Sequence, residues 1–94
     1  MENWLRNEIK SDVGDRIRLL RRNKNLSQPQ LSLLTGISQP TICDYESGTK
    51  LCKYERLVKL SEALETKPED ISPDVVADFL YRQRTRRKYS RKEV

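Results

Sequence analysis

Residues 28–47 read Gln28-Pro29-Gln30-Leu31-Ser32-Leu33-Leu34-Thr35-Gly36-Ile37-Ser38-Gln39-Pro40-Thr41-Ile42-Cys43-Asp44-Tyr45-Glu46-Ser47, and the reading of this stretch decides the fold. One device punctuates it twice. Ser27-Gln28-Pro29-Gln30 and Ser38-Gln39-Pro40-Thr41 each place a Ser N-cap ahead of a Pro in the first turn. Proline is harmless there, because the first helical N–H groups have no intrahelical partner to lose. Gln30, three residues after Ser27, completes a capping box, and Gly36 suits the left-handed residue that ends a helix. Two short helices, at 28–35 and 39–46, therefore flank a three-residue turn, Gly36-Ile37-Ser38. At about 100° per residue, Ile42, Tyr45 and Glu46 share one side of the second helix. With Ile37, the apolar pair Ile42 and Tyr45 is expected to turn inward onto Leu31 and Leu34.

Such a unit is a helix-turn-helix, whose second helix is offered as a rigid body to the major groove of duplex DNA. The rest of the chain supplies its support. Upstream, Trp4, Leu5 and Ile9 suggest a short helix or arm within residues 1–11, and Asp12-x-x-Asp15 reads as a cap opening a second helix from about Val13 to Lys24. Downstream, helices are expected at about 55–64, 68–71 and 73–88. The last two are opened by Thr66-Lys67-Pro68-Glu69 and by Ser72-Pro73. Strand alternation occurs nowhere, so the chain is expected to be all-α, with a core domain over 12–72 and a C-terminal helix and tail over 73–94.

Composition narrows the function. The 94 residues contain no His, two Cys and three Gly. That set lacks the usual general base and cannot build a four-ligand zinc site or a glycine-rich phosphate loop. No enzyme, cofactor or metal is expected. No run approaches the roughly 18 apolar residues of a membrane span, so a soluble, cytoplasmic protein is expected. The formal net charge is +5, and seven Lys and Arg crowd into residues 82–92. A polyanion is the natural partner, nucleic acid ahead of membrane. Arg82, Arg84, Arg86, Arg87 and Lys88 read as a disordered, sequence-blind arm on DNA or as a solubilising tail.

In detail the chain resembles the helix-turn-helix domains of lambdoid phage repressors and Cro proteins, the XRE family. The resemblance runs from about Val13 to Ile71. It rests on Gly14-Asp15-Arg16-Ile17-Arg18 with Leu20-Arg21, on Leu26-Ser27-Gln28 and Leu31, and above all on Gly36-Ile37-Ser38-Gln39-Pro40-Thr41-Ile42 followed by Tyr45-Glu46-Ser47-Gly48. Leu57, Leu60, Ala63 and Leu64 match the fourth helix and Pro68 to Ile71 the fifth. The resemblance implies a compact five-helix domain, here extended by a C-terminal helix and basic tail. It further implies a regulator of transcription that binds double-stranded operator DNA as a homodimer, most often a repressor on a palindrome.

Candidate contacts follow from both lines of reasoning. Ser38, Gln39, Pro40, Thr41 and Asp44 lie on or beside the outward face of the third helix and are the candidate base readers. The Gln39 amide suits adenine, and Pro40 and the Thr41 methyl suit a thymine methyl. The same positions also suit ordinary cap-adjacent surface residues. Asp44 either accepts from cytosine N4 or discourages non-specific phosphate contact. The resemblance implies phosphate contacts from Ser27 and Gln28 at the start of the second helix, and from Lys50 and Lys53 in the loop after the third. That loop is about one residue longer than in the phage repressors. It also implies an ion pair, Arg21 with Glu46, between the first and third helices, which is read as structural. Cys52 reads as packing, and Cys43 as bordering the DNA-facing side.

Two questions stay open at this level. Val75, Val76, Phe79 and Leu80 form an apolar stripe that either packs on the chain's own domain or meets a second copy. An antitoxin that grips a toxin partner through its terminal segments and represses its own operon would carry the same DNA-binding domain.

Overall fold

The computed structural model describes the backbone of residues 3–92 and the side chains of residues 6–85. Among these residues six helices and no strands occur: α1 (Asn3–Asn23), α2 (Gln28–Thr35), α3 (Gln39–Glu46), α4 (Tyr54–Ala63), α5 (Pro68–Ile71) and α6 (Pro73–Lys92). Helices α2 and α3 span the residues expected. No helix here is long and apolar enough to cross a membrane.

The N-terminal region departs from the sequence reading. Residues 3–23 form one helix with no break at Asp12. Ile9, Val13 and Ile17 recur every four residues, and all are buried. This stripe docks the helix across the expected boundary, while Asp12 and Asp15 point to solvent. A local cap signal loses to continuous burial, because the N–H groups it would serve already have partners one turn back.

Side chains lock the α2–turn–α3 unit more tightly than its caps alone. Ser27 Oγ accepts from the Gln30 N–H at 3.1 Å, and Gln30 Oε1 accepts from the Ser27 N–H at 2.8 Å. Gly36 takes φ 74°, where an L side chain is strained. Thr35 Oγ1 donates to the Leu31 carbonyl at 2.8 Å and accepts from the Ile37 N–H at 3.2 Å. Ser32 Oγ donates to the Ile37 carbonyl at 2.5 Å. Thr35 is buried, and Leu34, expected inside, is 61% exposed. Thr35 lies four residues from the buried Leu31 and faces the core in place of Leu34, which turns outward on the same helix.

Leu57, Leu60 and Leu64 of the α4 region close the core over Ile17, Leu31 and Ile42, with Cys52 buried at the entry to α4. Helix α5 spans the residues expected, but its cap position is Lys67 rather than Thr66. Asp70, one residue beyond the expected Glu69, accepts from the Lys67 N–H at 3.3 Å and the Thr66 hydroxyl at 3.0 Å. Ser72 Oγ caps α6 by accepting from the Val75 N–H at 3.2 Å. On α6 the apolar stripe divides. Val75 and Val76 pack on the domain, and the Phe79 ring stacks on Tyr54 with centroids 3.9 Å apart and planes 6° from parallel. Leu80 is 58% exposed. The helix continues to Lys92 through the segment expected to be disordered, carried by residues such as Arg and Gln that extend an existing helix readily. The side chains of Arg86, Arg87 and Lys88 lie outside the described residues.

Helices α1 and α3 touch backbone to backbone at Gly14. A Cβ placed there would stand 2.8 Å from the Glu46 carbonyl oxygen and closer still to that of Tyr45. No rotamer change relieves a clash with backbone. Gly14→Ala is therefore expected to lower stability by about 1–3 kcal/mol in urea unfolding. A midpoint equal to that of the wild type would show that the two helices are not this close.

Candidate nucleic-acid interface

The outward face of α3 is set from within by one carboxylate. Glu46 ends the helix with its side chain only 2% exposed. Arg21 grips it with two parallel bonds, Nε to Oε2 at 2.7 Å and Nη2 to Oε1 at 2.9 Å. This bidentate geometry fixes orientation as well as distance. The same guanidinium donates from Nη1 to the Leu26 carbonyl at 2.8 Å, so one side chain ties α1, the loop before α2 and α3 together. Gln28 Nε2 donates to Glu46 Oε1 at 3.2 Å, and Arg18 Nη2 donates to the Glu46 backbone carbonyl at 2.7 Å. Burial pushes the Glu46 carboxyl up, but the bonds from Arg21 and Gln28 and the charges of Arg21 and Arg18 outweigh it and hold the group below its ordinary range. The Arg21–Glu46 pair expected from the sequence is present. Arg18 is a partner that the sequence reading missed, although its spacing three residues from Arg21 puts both on the α3-facing side of α1.

With Ile42, Tyr45 and Glu46 turned inward, Gln39, Pro40, Cys43 and Ser47 are exposed, Asp44 is half-exposed and Thr41 half-buried. Ser38 is occupied as the cap. Its Oγ accepts from the Thr41 N–H at 3.4 Å and lies 2.8 Å from the Thr41 hydroxyl. Among the described residues no hydrogen bond engages the Gln39 amide, which leaves both its donor and its acceptor outward. The chain after α3 folds back on Asp44: the N–H groups of Thr49 and Lys50 donate to its carbonyl at 2.9 and 3.2 Å. This return brings Lys50 Nζ to 3.4 Å from Asp44 Oδ2. The charge on the reading face is thus offset by one of the lysines expected to meet phosphate.

The remaining candidates divide. Lys53 is exposed at the cap position of α4. The Ser27 hydroxyl is spent on its capping box, and the Gln28 amide keeps one free N–H beside its bond to Glu46. The edge of α2 therefore offers few donors, chiefly the Gln28 backbone N–H and half of its side-chain amide. The two thiols differ in reach. Cys43 is exposed on α3, whereas burial pushes the Cys52 thiol up to about 12, an effect only partly offset by the charge of Arg56.

Residues 17–71, more than half of the chain, match the HTH_3 helix-turn-helix family model. The chain belongs to the HTH_3 family. As an HTH_3 protein it is a regulator of transcription, and its relatives are regulators rather than enzymes. It is 32% identical over 66 residues to control protein C.BamHI of Bacillus amyloliquefaciens, covering 69% of this chain and 82% of that protein. It is 35% identical over 72 residues to an uncharacterised HTH-type transcriptional regulator, y4aM, of Sinorhizobium fredii, spanning 77% of this chain but half of that longer protein. Among solved structures, the restriction-modification controller protein C.AhdI of Aeromonas hydrophila superposes with a TM-score of 0.64 at 31% identity, covering 66% of this chain and 94% of that one. An HTH_3 regulator of Vibrio cholerae superposes with a TM-score of 0.68 at 23% identity, a likeness of fold.

The Glu46 network makes a two-part prediction. Glu46→Ala strands Arg21 and is expected to cost about 3–5 kcal/mol in denaturant unfolding. A group held below its ordinary value in the folded protein contributes stability that is complete above that value, 4.5, and disappears as pH falls through the lower folded one. Glu46→Gln is therefore expected to be less stable than the wild type at neutral pH and to lose less on acidification below about 4.5. Parallel acid limbs for the two proteins would contradict the assignment.

Proposed function

We propose that this HTH_3 protein is a sequence-specific DNA-binding regulator that acts in the cytoplasm as a homodimer on a palindromic operator, with repression as its principal effect. The observation that carries the reading is the α3 face. Gln39, Pro40, Thr41 and Asp44 are presented together by a helix that Arg21 and Glu46 fix against α1. Gln39 is the sharpest base reader, because its amide is free and stands at the N-terminal end of the helix. Its fork suits adenine N6 and N7. Asp44 reads cytosine N4 only by exchanging Lys50 for the base, which makes its contribution conditional on a matching site. Ser38 and Thr41 act through the cap they share, with the Thr41 methyl left for an apolar contact. Lys50, Lys53 and the Gln28 N–H groups hold phosphates, and Ser27 fixes the helix end that carries Gln28.

One recognition helix spans too few bases for useful specificity, so two copies on half-sites about one helical turn apart are required. The likeness to C.BamHI and C.AhdI, over most of the length of each, supports a more specific version: control of the expression of a restriction-modification gene set. The antitoxin alternative predicts a stoichiometric protein partner in native cells, and a footprint upstream of a restriction gene without one would decide against it.

Base readers and phosphate readers separate experimentally. On an operator selected from a random duplex pool, Gln39→Ala is expected to lose about 1–3 kcal/mol of affinity and to lose little on unselected DNA. Lys50→Ala is expected to weaken both alike and to reduce the salt slope by about one. Equal losses for Gln39→Ala on the two DNAs would mean that α3 does not read sequence through this residue. Titration of the operator is expected to saturate at two chains per duplex, and saturation at one would remove the homodimer.

A further inference from the structure

A cleft of about 500 Å³ opens beside α3 on the side away from α2. Five cations line it, from three parts of the chain: Arg6 and Lys10 on α1, Lys50 and Lys53 on the loop after α3, and Arg56 on α4. Among the described residues Glu55 is its one lining carboxylate. Arg56 is held in place by donating from Nη1 to the Tyr45 hydroxyl at 3.1 Å. Lys50 shares its charge with Asp44, but among the described residues Arg6, Lys10, Lys53 and Arg56 have no carboxylate within ion-pair distance. Gathering like charges into one cleft is unfavourable for the free protein, and a polyanion relieves it.

We propose that this cleft is a DNA-backbone site in which the N-terminal half of α1, through Arg6 and Lys10, clamps phosphates next to those held by Lys50 and Lys53. The inference rests on the DNA-binding reading above and extends it to residues that lie outside the matched span of 17–71. Three observations favour a continuous backbone over a single small anion. The cleft is continuous with the reading face, since Thr41 belongs to both. Arg6, Lys53 and Arg56 are exposed, which suits a strand passing over them rather than a ligand enclosed by them. The cations come from three separate parts of the chain, α1, the loop and α4, which suits several phosphates better than one small anion. The α3 helix itself carries no Lys or Arg, so sequence-blind affinity has to come from its borders. The continuous α1 is what puts Arg6 and Lys10 there.

The test is the salt dependence of binding to a random-sequence duplex by the full chain. Each phosphate neutralised contributes close to one unit of slope in log affinity against log salt. Arg6→Gln/Lys10→Gln is expected to flatten the slope by about two units and to leave the ratio of operator to random affinity within about twofold of the wild type. Arg16→Gln/Lys67→Gln removes the same charge elsewhere on the surface and is expected to change the slope little. An unchanged slope in the Arg6/Lys10 variant, or an equal flattening in the control, would overturn the proposal. Inorganic phosphate provides the other arm. If it raises the melting temperature of the wild type beyond matched chloride, loses that effect in the Arg6/Lys10 variant, and the duplex slope is unchanged, the cleft serves a soluble anion and the backbone assignment is wrong. A wild type whose duplex binding shows no salt dependence would remove the DNA reading itself, and the cleft assignment with it.

Discussion

The fork of Arg21 on Glu46 is the interaction on which the rest depends. A two-turn helix such as α3 has almost no stability of its own and takes its orientation from whatever holds its inner side. Here that side consists of Ile42 and Tyr45 in the core and a carboxylate buried at its end. A buried carboxylate is tolerable only when its lone pairs are filled, and Arg21 and Gln28 fill them from two other helices, while Arg18 bonds the Glu46 backbone carbonyl. Hydrophobic packing alone would leave α3 free to rotate by some degrees about its axis. The planar guanidinium removes that freedom. Gly14 complements it by letting the α1 and α3 backbones meet, so the pair works at short range.

The consequence is a division of labour on the surface. The α3 face carries Gln39, Pro40, Thr41 and Asp44, groups whose chemistry suits base edges better than phosphate. Its only charge, Asp44, is offset by Lys50 at 3.4 Å. The cations stand at the edges, in the loop after α3, on α4 and on the N-terminal half of α1. Keeping the cations off the reading helix favours specificity, because sequence-blind affinity then does not scale with how well α3 fits the groove.

Local chemistry made the centre of this arrangement legible. Ser27 with Gln30, Ser38 ahead of Pro40, and Gly36 each act within four residues, and the bounds of α2 and α3 follow from them. Three features were hidden because they depend on distant partners. The Asp12-x-x-Asp15 signal is real as a local preference but yields to the buried stripe of Ile9, Val13 and Ile17. Leu34 has the right spacing for the core, yet Thr35, four residues from Leu31, takes the inward place, and its hydroxyl clasps the turn. The meeting of Lys50 with Asp44, and of Arg6 and Lys10 with the same loop, requires knowing how that loop folds back. The stripe on α6 had two expected fates and divides between them: Val75, Val76 and Phe79 are spent on the domain, and Leu80 is left exposed.

The central claim is that a clamped α3 enters the major groove, twice per operator. Methylation interference on an operator selected from a random pool tests it most directly, since guanine N7 faces the major groove and adenine N3 the minor. The account predicts that methylation blocks binding at guanine N7 in two clusters about one helical turn apart. Interference confined to adenine N3, or a single cluster of blocked guanines, would contradict it.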